Sequence, residues 1–197
     1  MSLAFIPGLV LYAFVSSITP GPNNLMLMAS GANFGFRRSI PHMLGIAVGF
    51  GLMAVIIGIG LSALFEAYPV SYTILKVGAV CYLLYLAWKI AHAAAPGEGD
   101  PDGRPFSFLQ AAAFQWINPK AVTMALTAIT LFAPDRSFPA VLAVAVIFAM
   151  VNLPSVSCWT VLGTQLRRLL TNTRRLQIFN WSMALLLVAS LYPALTH

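Results

Sequence analysis

The sequence predicts an all-α integral membrane protein of six transmembrane helices, arranged as two inverted three-helix repeats. Three observations predict it. Of 197 residues, 59% are hydrophobic and only 8% are charged. The apolar residues fall into six runs of membrane-spanning length. The first and fourth runs are each interrupted by a proline motif.

Soluble domains carry roughly a quarter charged residues, so this chain lacks the charge to cover a water-exposed surface. Its length would suit one or two soluble domains, but the composition excludes them. About twenty apolar residues cross the hydrocarbon core as a helix. The candidate spans are 3–32, 40–64, 70–91, 107–133, 138–166 and 177–195. The first reads as a retained segment, because no basic region precedes it and no small-residue cleavage site stands out. The stretch "HAAAPGEGDPDGRPFS" (92–107) is rich in Pro, Gly and Asp and reads as an aqueous linker loop between halves. The chain thus divides into a first repeat at 1–91, that linker, and a second repeat at 108–197.

The formal net charge of +6 resides in residues at the ends of apolar runs. That placement suits membrane topology and not a nucleic-acid face, so no nucleic-acid partner is expected. Arg37 and Arg38, Lys89 and Arg104, and Arg167, Arg168, Arg174 and Arg175 occupy the odd-numbered loops. The even loops hold Glu66 and the pair Asp135 and Arg136. The odd loops are therefore cytoplasmic, with both termini on the periplasmic side of a bacterial inner membrane. Cys81 and Cys158 lie far apart in apolar runs, without metal or redox spacing, and read as buried inert thiols.

Each half contains three spans, so the second is inverted relative to the first. "LKVGAVCYLLYLAW" (75–88) parallels "LQIFNWSMALLLVA" (176–189), and Pro22-Asn23 parallels Pro119-Lys120. Interrupted helices at matching positions of inverted repeats are a signature of secondary transporters.

The interruption in "SITPGPNNLMLM" (17–28) follows from proline chemistry. In a continuous helix Pro20 would orphan the carbonyl of Ser16, and Pro22 that of Ile18. Thr19 and Gly21 precede prolines and are pushed out of the α region. Gly21 is expected to supply the freedom to turn. A new helix can start with Pro22 first and Asn23-Asn24 behind it. Orphan backbone groups in hydrocarbon cost several kcal/mol each, so the break must line an internal cavity. Its N–H groups would suit a carboxylate and its orphan carbonyls an ammonium. "FQWINPKAV" (114–122) repeats the device, with Asn118 as N-cap and Pro119 as first residue. Lys120 then places a full charge in an apolar span. Such residues are functional candidates by default, and a binding role is preferred over snorkelling to the interface.

Other residues weigh less. Gly45 and Gly49, four apart, would let another helix approach closely, with a cavity wall as the second role for Gly49. His42 reads as an interfacial histidine before a proton relay. Asn152 with Pro154 breaks the fifth span and is a candidate polar group of the cavity. Lys76 snorkels, and Tyr68, Tyr72, Trp88 and Tyr192 form an aromatic belt. Asn180 and Ser182 could line the cavity or join helices. The candidate substrate-binding set is therefore Thr19, Pro20, Gly21, Pro22, Asn23, Asn24, Gly49, Asn118, Pro119, Lys120 and Asn152.

At these residues the chain resembles the LysE/RhtB family of amino-acid exporters. "TPGPNN" (19–24), "GFRRS" (35–39), "GIAVGFG" (45–51), "YLLYLAWK" (82–89) and "FQWINPKA" (114–121) match its pattern in order and spacing. The likeness covers essentially the whole chain and is closest to the cysteine and O-acetylserine exporter branch. It implies a six-helix inner-membrane secondary transporter that exports small neutral amino acids or their derivatives. The implied partners are an amino-acid substrate and the lipid bilayer, with a proton as candidate coupling ion and a homodimer as candidate assembly. No cofactor and no catalytic or metal-binding residue is expected. Many members carry an acidic residue where this chain has Phe50, which makes a strongly basic substrate less expected here. Homoserine, threonine or a homoserine lactone is the alternative cargo. A metal-ion exporter lacks a ligand cluster, and an intramembrane enzyme lacks a nucleophile and base. A non-transporting assembly factor would leave the paired breaks and Lys120 unexplained.

Overall fold

Proline sets where most of the helices begin. The computed structural model describes residues 5–61, 68–93, 104–170 and 172–192, without the side chains of Leu61, Pro69, Ser71, Tyr72, Leu75 and Lys76. Residues 94–103 of the expected loop at 92–107, Glu66, both chain termini and the side chains of Lys76 and Tyr72 therefore lie outside the described residues. Every regular element among the described residues is helical. In order these are α1 (Ile6–Ile18), α2 (Pro22–Phe34), α3 (Phe36–Ile56), α4 (Pro69–Ala91), α5 (Phe108–Phe114), α6 (Pro119–Phe132), α7 (Phe138–Arg167) and α8 (Thr173–Ala189). A wide turn at Ile57–Leu61 extends α3, and a tight one at Gln115–Ile117 extends α5. Proline occupies the first or second position of α1, α2, α4, α6 and α7. The ring's fixed φ suits a first turn, where the missing N–H would have had no partner.

Among the described residues, two helices are long and apolar enough to cross a membrane whole. Phe36–Gly60 has a mean hydropathy of 2.3 and Phe138–Arg167 one of 2.2. Ile6–Ile18, Val77–Ala91 and Pro119–Phe132 are shorter apolar helices. The 13 residues of α1 rise only about 20 Å, against about 30 Å of hydrocarbon. The proline breaks are why α1 and α6 are short. Large apolar side chains such as Leu52, Met150 and Leu185 point outward, which suits lipid and not water.

Close contacts fix how the helices sit. α2 is buried from Asn24 through Asn33 and lies against α7. A Cβ on Gly31 would collide with the carbonyl of Thr160, and one on Gly163 with the carbonyl of Met28. The two backbones touch, which is how small residues hold membrane helices together. Gly45 and Gly49 do the same for α3 and α5: an added Cβ at 49 would lie 2.5 Å from Ala112 Cα. The predicted close approach is there. α1 packs on α7, and α4 on α8. Between α2 and α3 the chain turns on the single residue Gly35, whose φ of 82° would strain any side chain.

Buried polar side chains also tie helices. Asn33 Nδ2 donates to Asn180 Oδ1 at 2.9 Å, and Asn180 Nδ2 returns a bond to Asn33 Oδ1 at 3.3 Å. Asn180 therefore joins α8 to α2. Ser182 only bonds the carbonyl of Ile178, on its own helix.

Three expectations change. Pro154 does not break the fifth span: α7 runs through it, because one missing N–H, opposite Met150, is a local loss in a 30-residue helix. Cys81 and Cys158 are exposed on the outer helix faces, a position lipid makes as suitable for a small apolar thiol as a core. His42 is buried and not interfacial; its ring lies 5.2 Å from that of Phe106, and neither ring nitrogen has a hydrogen-bond partner. The helix turns it inward, away from the neighbouring Arg37 and Arg38.

Candidate functional site

The break between α1 and α2 leaves five consecutive carbonyls, Ser16 to Pro20, without the N–H groups a continuous helix would have supplied, between Val15 and Gly21, which keep theirs. Hydrocarbon cannot satisfy them, so each needs a partner from the chain. Val15 keeps the Thr19 N–H at 3.3 Å. Ser16 receives the Thr19 hydroxyl at 2.9 Å. Ser17 receives Asn24 Nδ2 at 2.7 Å. Ile18 receives the indole N–H of Trp159, on α7, at 3.0 Å. Thr19 receives Asn24 Nδ2 and Lys120 Nζ, both at 2.8 Å. Pro20 receives Lys120 Nζ at 3.1 Å, and Gly21 the N–H of Leu25 at 3.0 Å. All five, and the two helical carbonyls that flank them, are taken.

This accounting alters the expected division of labour. The carbonyls of Ser16 and Ile18, expected to be free, are held by Thr19 and Trp159. Those of Thr19 and Pro20 hold the lysine ammonium. Lys120 Nζ also reaches the Thr19 hydroxyl at 2.9 Å, so one cation from the fourth span caps the broken first span. Gly21 has a different reason as well. Its φ of 179° is extended backbone that any residue adopts, so no turning freedom is used. An added Cβ would lie 2.7 Å from Lys120 Cδ. The glycine leaves room for the lysine.

The second break follows its sequence signature. Asn118 caps α6, its side chain accepting from the Ala121 N–H at 3.4 Å, and Pro119 is the first helical residue. Just before it, fully buried Gln115 pairs with Asn23 across the two breaks. Asn23 Nδ2 donates to Gln115 Oε1 at 2.8 Å, and Gln115 Nε2 to Asn23 Oδ1 at 3.2 Å. Each post-proline residue therefore grips the other break: Asn23 holds Gln115, and Lys120 holds Thr19 and Pro20. Truncating Asn23 and Gln115 to Ala singly and together should show a coupling of about 1 kcal/mol or more in thermal unfolding. A coupling near zero would mean that the pair is not formed in the membrane.

Between the breaks lies a narrow cavity, part of it open to the outside, with room for about one water-sized molecule as it stands. Gly21, Asn23, Asn24, Asn118, Lys120 and Asn152 line it, six of the eleven residues singled out from the sequence. Thr19 and Pro20 adjoin it as the carbonyls that hold Lys120, while Pro22 and Pro119 start the two helices whose N-termini face it. Gly49 is placed elsewhere, against Ala112. The lining that sequence reasoning missed is Ser16, Ser17, Ala121, Met124 and Val156. Gln115 was missed as well, although a glutamine three residues before the asparagine–proline break in an apolar run was a usable signal. Phe50 forms a wall, buried and stacked on Phe148 with ring centroids 4.8 Å apart. Among the described residues no cluster of His, Cys, Asp or Glu could hold a metal.

Chemically, this is a small cavity with a lysine ammonium, two helix N-termini carrying partial positive charge, and an apolar wall. The profile of the family described as LysE type translocator matches residues 14–191. The chain is 31% identical over 180 residues to the cysteine/O-acetylserine efflux protein of Escherichia coli (strain K12), covering 90% of each chain. The proteins of the same name from Shigella sonnei (strain Ss046) and Shigella flexneri match to the same extent. No solved structure gives a significant match.

Proposed function

The chain belongs to the LysE type translocator family, and from that premise we propose that it is a secondary exporter of small neutral amino acids or their derivatives, and not an enzyme. The cysteine and O-acetylserine named for its relatives are the model cargo. The observation that carries this reading is the cavity where two helix breaks meet and Lys120 spans them.

The proposed exchange follows from charge. A zwitterion entering the cavity must replace water around both its ends. Lys120 is held only by neutral oxygens, and a carboxylate is a stronger partner for an ammonium than a carbonyl is. The substrate carboxylate draws Lys120 off, aided by the N-termini of α2 and α6. The substrate ammonium then takes the carbonyls of Thr19 and Pro20 that the lysine leaves. Phe50 and Phe148 supply no counter-charge for a basic side chain, which favours neutral cargo.

The proposed frame is six spans in two inverted repeats, 1–91 and 108–197, joined by the loop at 92–107. The exchanged grips of Asn23 and Lys120 support it. So does the packing of α1 on α7 with α5 on α3, the reciprocal contact a two-fold axis in the membrane plane requires. The proposed site is in the bacterial inner membrane, with the basic loops inside, both termini periplasmic, a proton as the coupling ion and a homodimer as the assembly. Alkaline phosphatase fused after His197 should be active, and a fluorescent protein there dark; the reverse pattern would invert the topology.

Efflux of labelled amino acids from proteoliposomes, with and without a pH gradient, tests the function. The expected result is efflux of small neutral amino acids that the gradient alters. No efflux of any amino acid in the panel would overturn the proposal.

A further inference from the structure

Most polar side chains of the cavity are already committed. Asn24 is spent on the carbonyls of Ser17 and Thr19, Asn23 on Gln115, Asn118 on the N–H of Ala121 and Lys120 on Thr19 and Pro20. The hydroxyl of Ser16 donates to the carbonyl of Tyr12 at 2.6 Å. Two buried polar atoms of the lining have no partner: Ser17 Oγ and Asn152 Oδ1. Both residues are at least nine-tenths buried, Ser17 at 5% and Asn152 at 4% exposure. They come from different helices, α1 and α7, and converge on one cavity.

Buried polar atoms are nearly always hydrogen-bonded, and an exception signals an absent partner. Serine in a helix normally turns its hydroxyl back to the carbonyl four residues earlier, as Ser155, Ser157 and Ser182 do here. Ser17 does not. Asn152, whichever way its amide is turned, also leaves bonding capacity unused. We infer that Ser17 and Asn152 form a side-chain subsite that takes a short, uncharged side chain ending in a hydroxyl or thiol. A substrate hydroxyl would donate to Asn152 Oδ1 while its oxygen accepts from the Ser17 hydroxyl. Phe50, Met124 and Val156, on the same lining, limit the length that fits. The inference rests on the proposed amino-acid export and assigns which side chains are preferred.

Serine and 2-aminobutyrate form the deciding pair, because they differ by a hydroxyl against a methyl of similar size. Efflux of each from proteoliposomes, and the rise each gives in the melting temperature of the detergent-solubilised protein, should be compared for the wild type, Ser17→Ala and Asn152→Leu. The wild type should favour serine by about tenfold or more, since the analogue leaves both buried atoms unpaired. In both variants the ratio should fall toward one. Ser17→Ala is the conservative arm, should Asn152→Leu fail to fold. An unchanged ratio in Ser17→Ala and in folded Asn152→Leu would overturn the subsite, leaving ordered water as the partner of both atoms, while the export proposal would stand. No response to any amino acid in either assay would overturn both.

Discussion

Lys120→Met should lower export at least about thirtyfold at matched protein levels in vesicles. Removing one member of a desolvated charge pair costs roughly 2–5 kcal/mol, and thirtyfold is the low end of that range. The substitution acts twice in the proposed exchange. It removes the cation that meets the carboxylate, and it uncovers Pro20 O, for which Lys120 is the hydrogen-bonding partner, in the resting state. Thr19 O keeps Asn24, so the break is weakened and not dissolved. The expected cost in stability is about 1–3 kcal/mol, well short of unfolding. Lys120→Arg should retain part of the activity, because the charge survives while its reach and shape change. Normal export by Lys120→Met would reduce the lysine to a structural cap on the first break.

The second large effect concerns folding. Gly163→Val should cost at least about 3 kcal/mol, more than usual overpacking, because the new atoms meet backbone and not a yielding side chain. The Cβ of residue 163 would sit on the carbonyl of Met28, in the middle of buried α2. Gly31→Val, against the carbonyl of Thr160, should do the same from the other side. Gly78→Val, with nothing near its Cβ, is the control and should be tolerated. The monodisperse fraction after detergent extraction and its melting temperature report the difference. Equal behaviour of Gly163→Val and Gly78→Val would show that α2 and α7 do not touch as described.

What could be read from the sequence was what proline and asparagine dictate locally. The starts of α2 and α6, the cap at Asn118 and the extended residues before Pro20, Pro22 and Pro119 are consequences of a ring and a missing N–H, and they need no tertiary partner. Lys120 was legible because a charge in an apolar run has few explanations. The pairing of Asn23 with Gln115 was not, since it joins residues 92 apart through a contact only the fold creates. Gly31 and Gly163 looked like any glycines in membrane helices; their role exists only where two particular backbones meet. Gly21 was legible as necessary but for the wrong reason, because the neighbour that needs its space comes from another span. Cys81, Cys158 and His42 were misplaced on a helix face, for apolar runs carry little periodicity when lipid and core favour the same residues.

Asn33 and Asn180, which close on each other at 2.9 Å, are separated by 147 residues. A ribosome adding about 5–20 residues per second makes the second of them roughly 7–30 s after the first. For most of that interval neither α7, which covers most of α2, nor the amide that pairs with Asn33 has been synthesised. Lys120 is likewise still missing for the first part of the wait. A nascent segment with an open backbone and unpaired amides cannot rest in lipid for seconds without a companion. The opening third of the chain must therefore stay in a wet or protein-lined insertion site until the last third arrives, so that the membrane receives the bundle late and nearly whole.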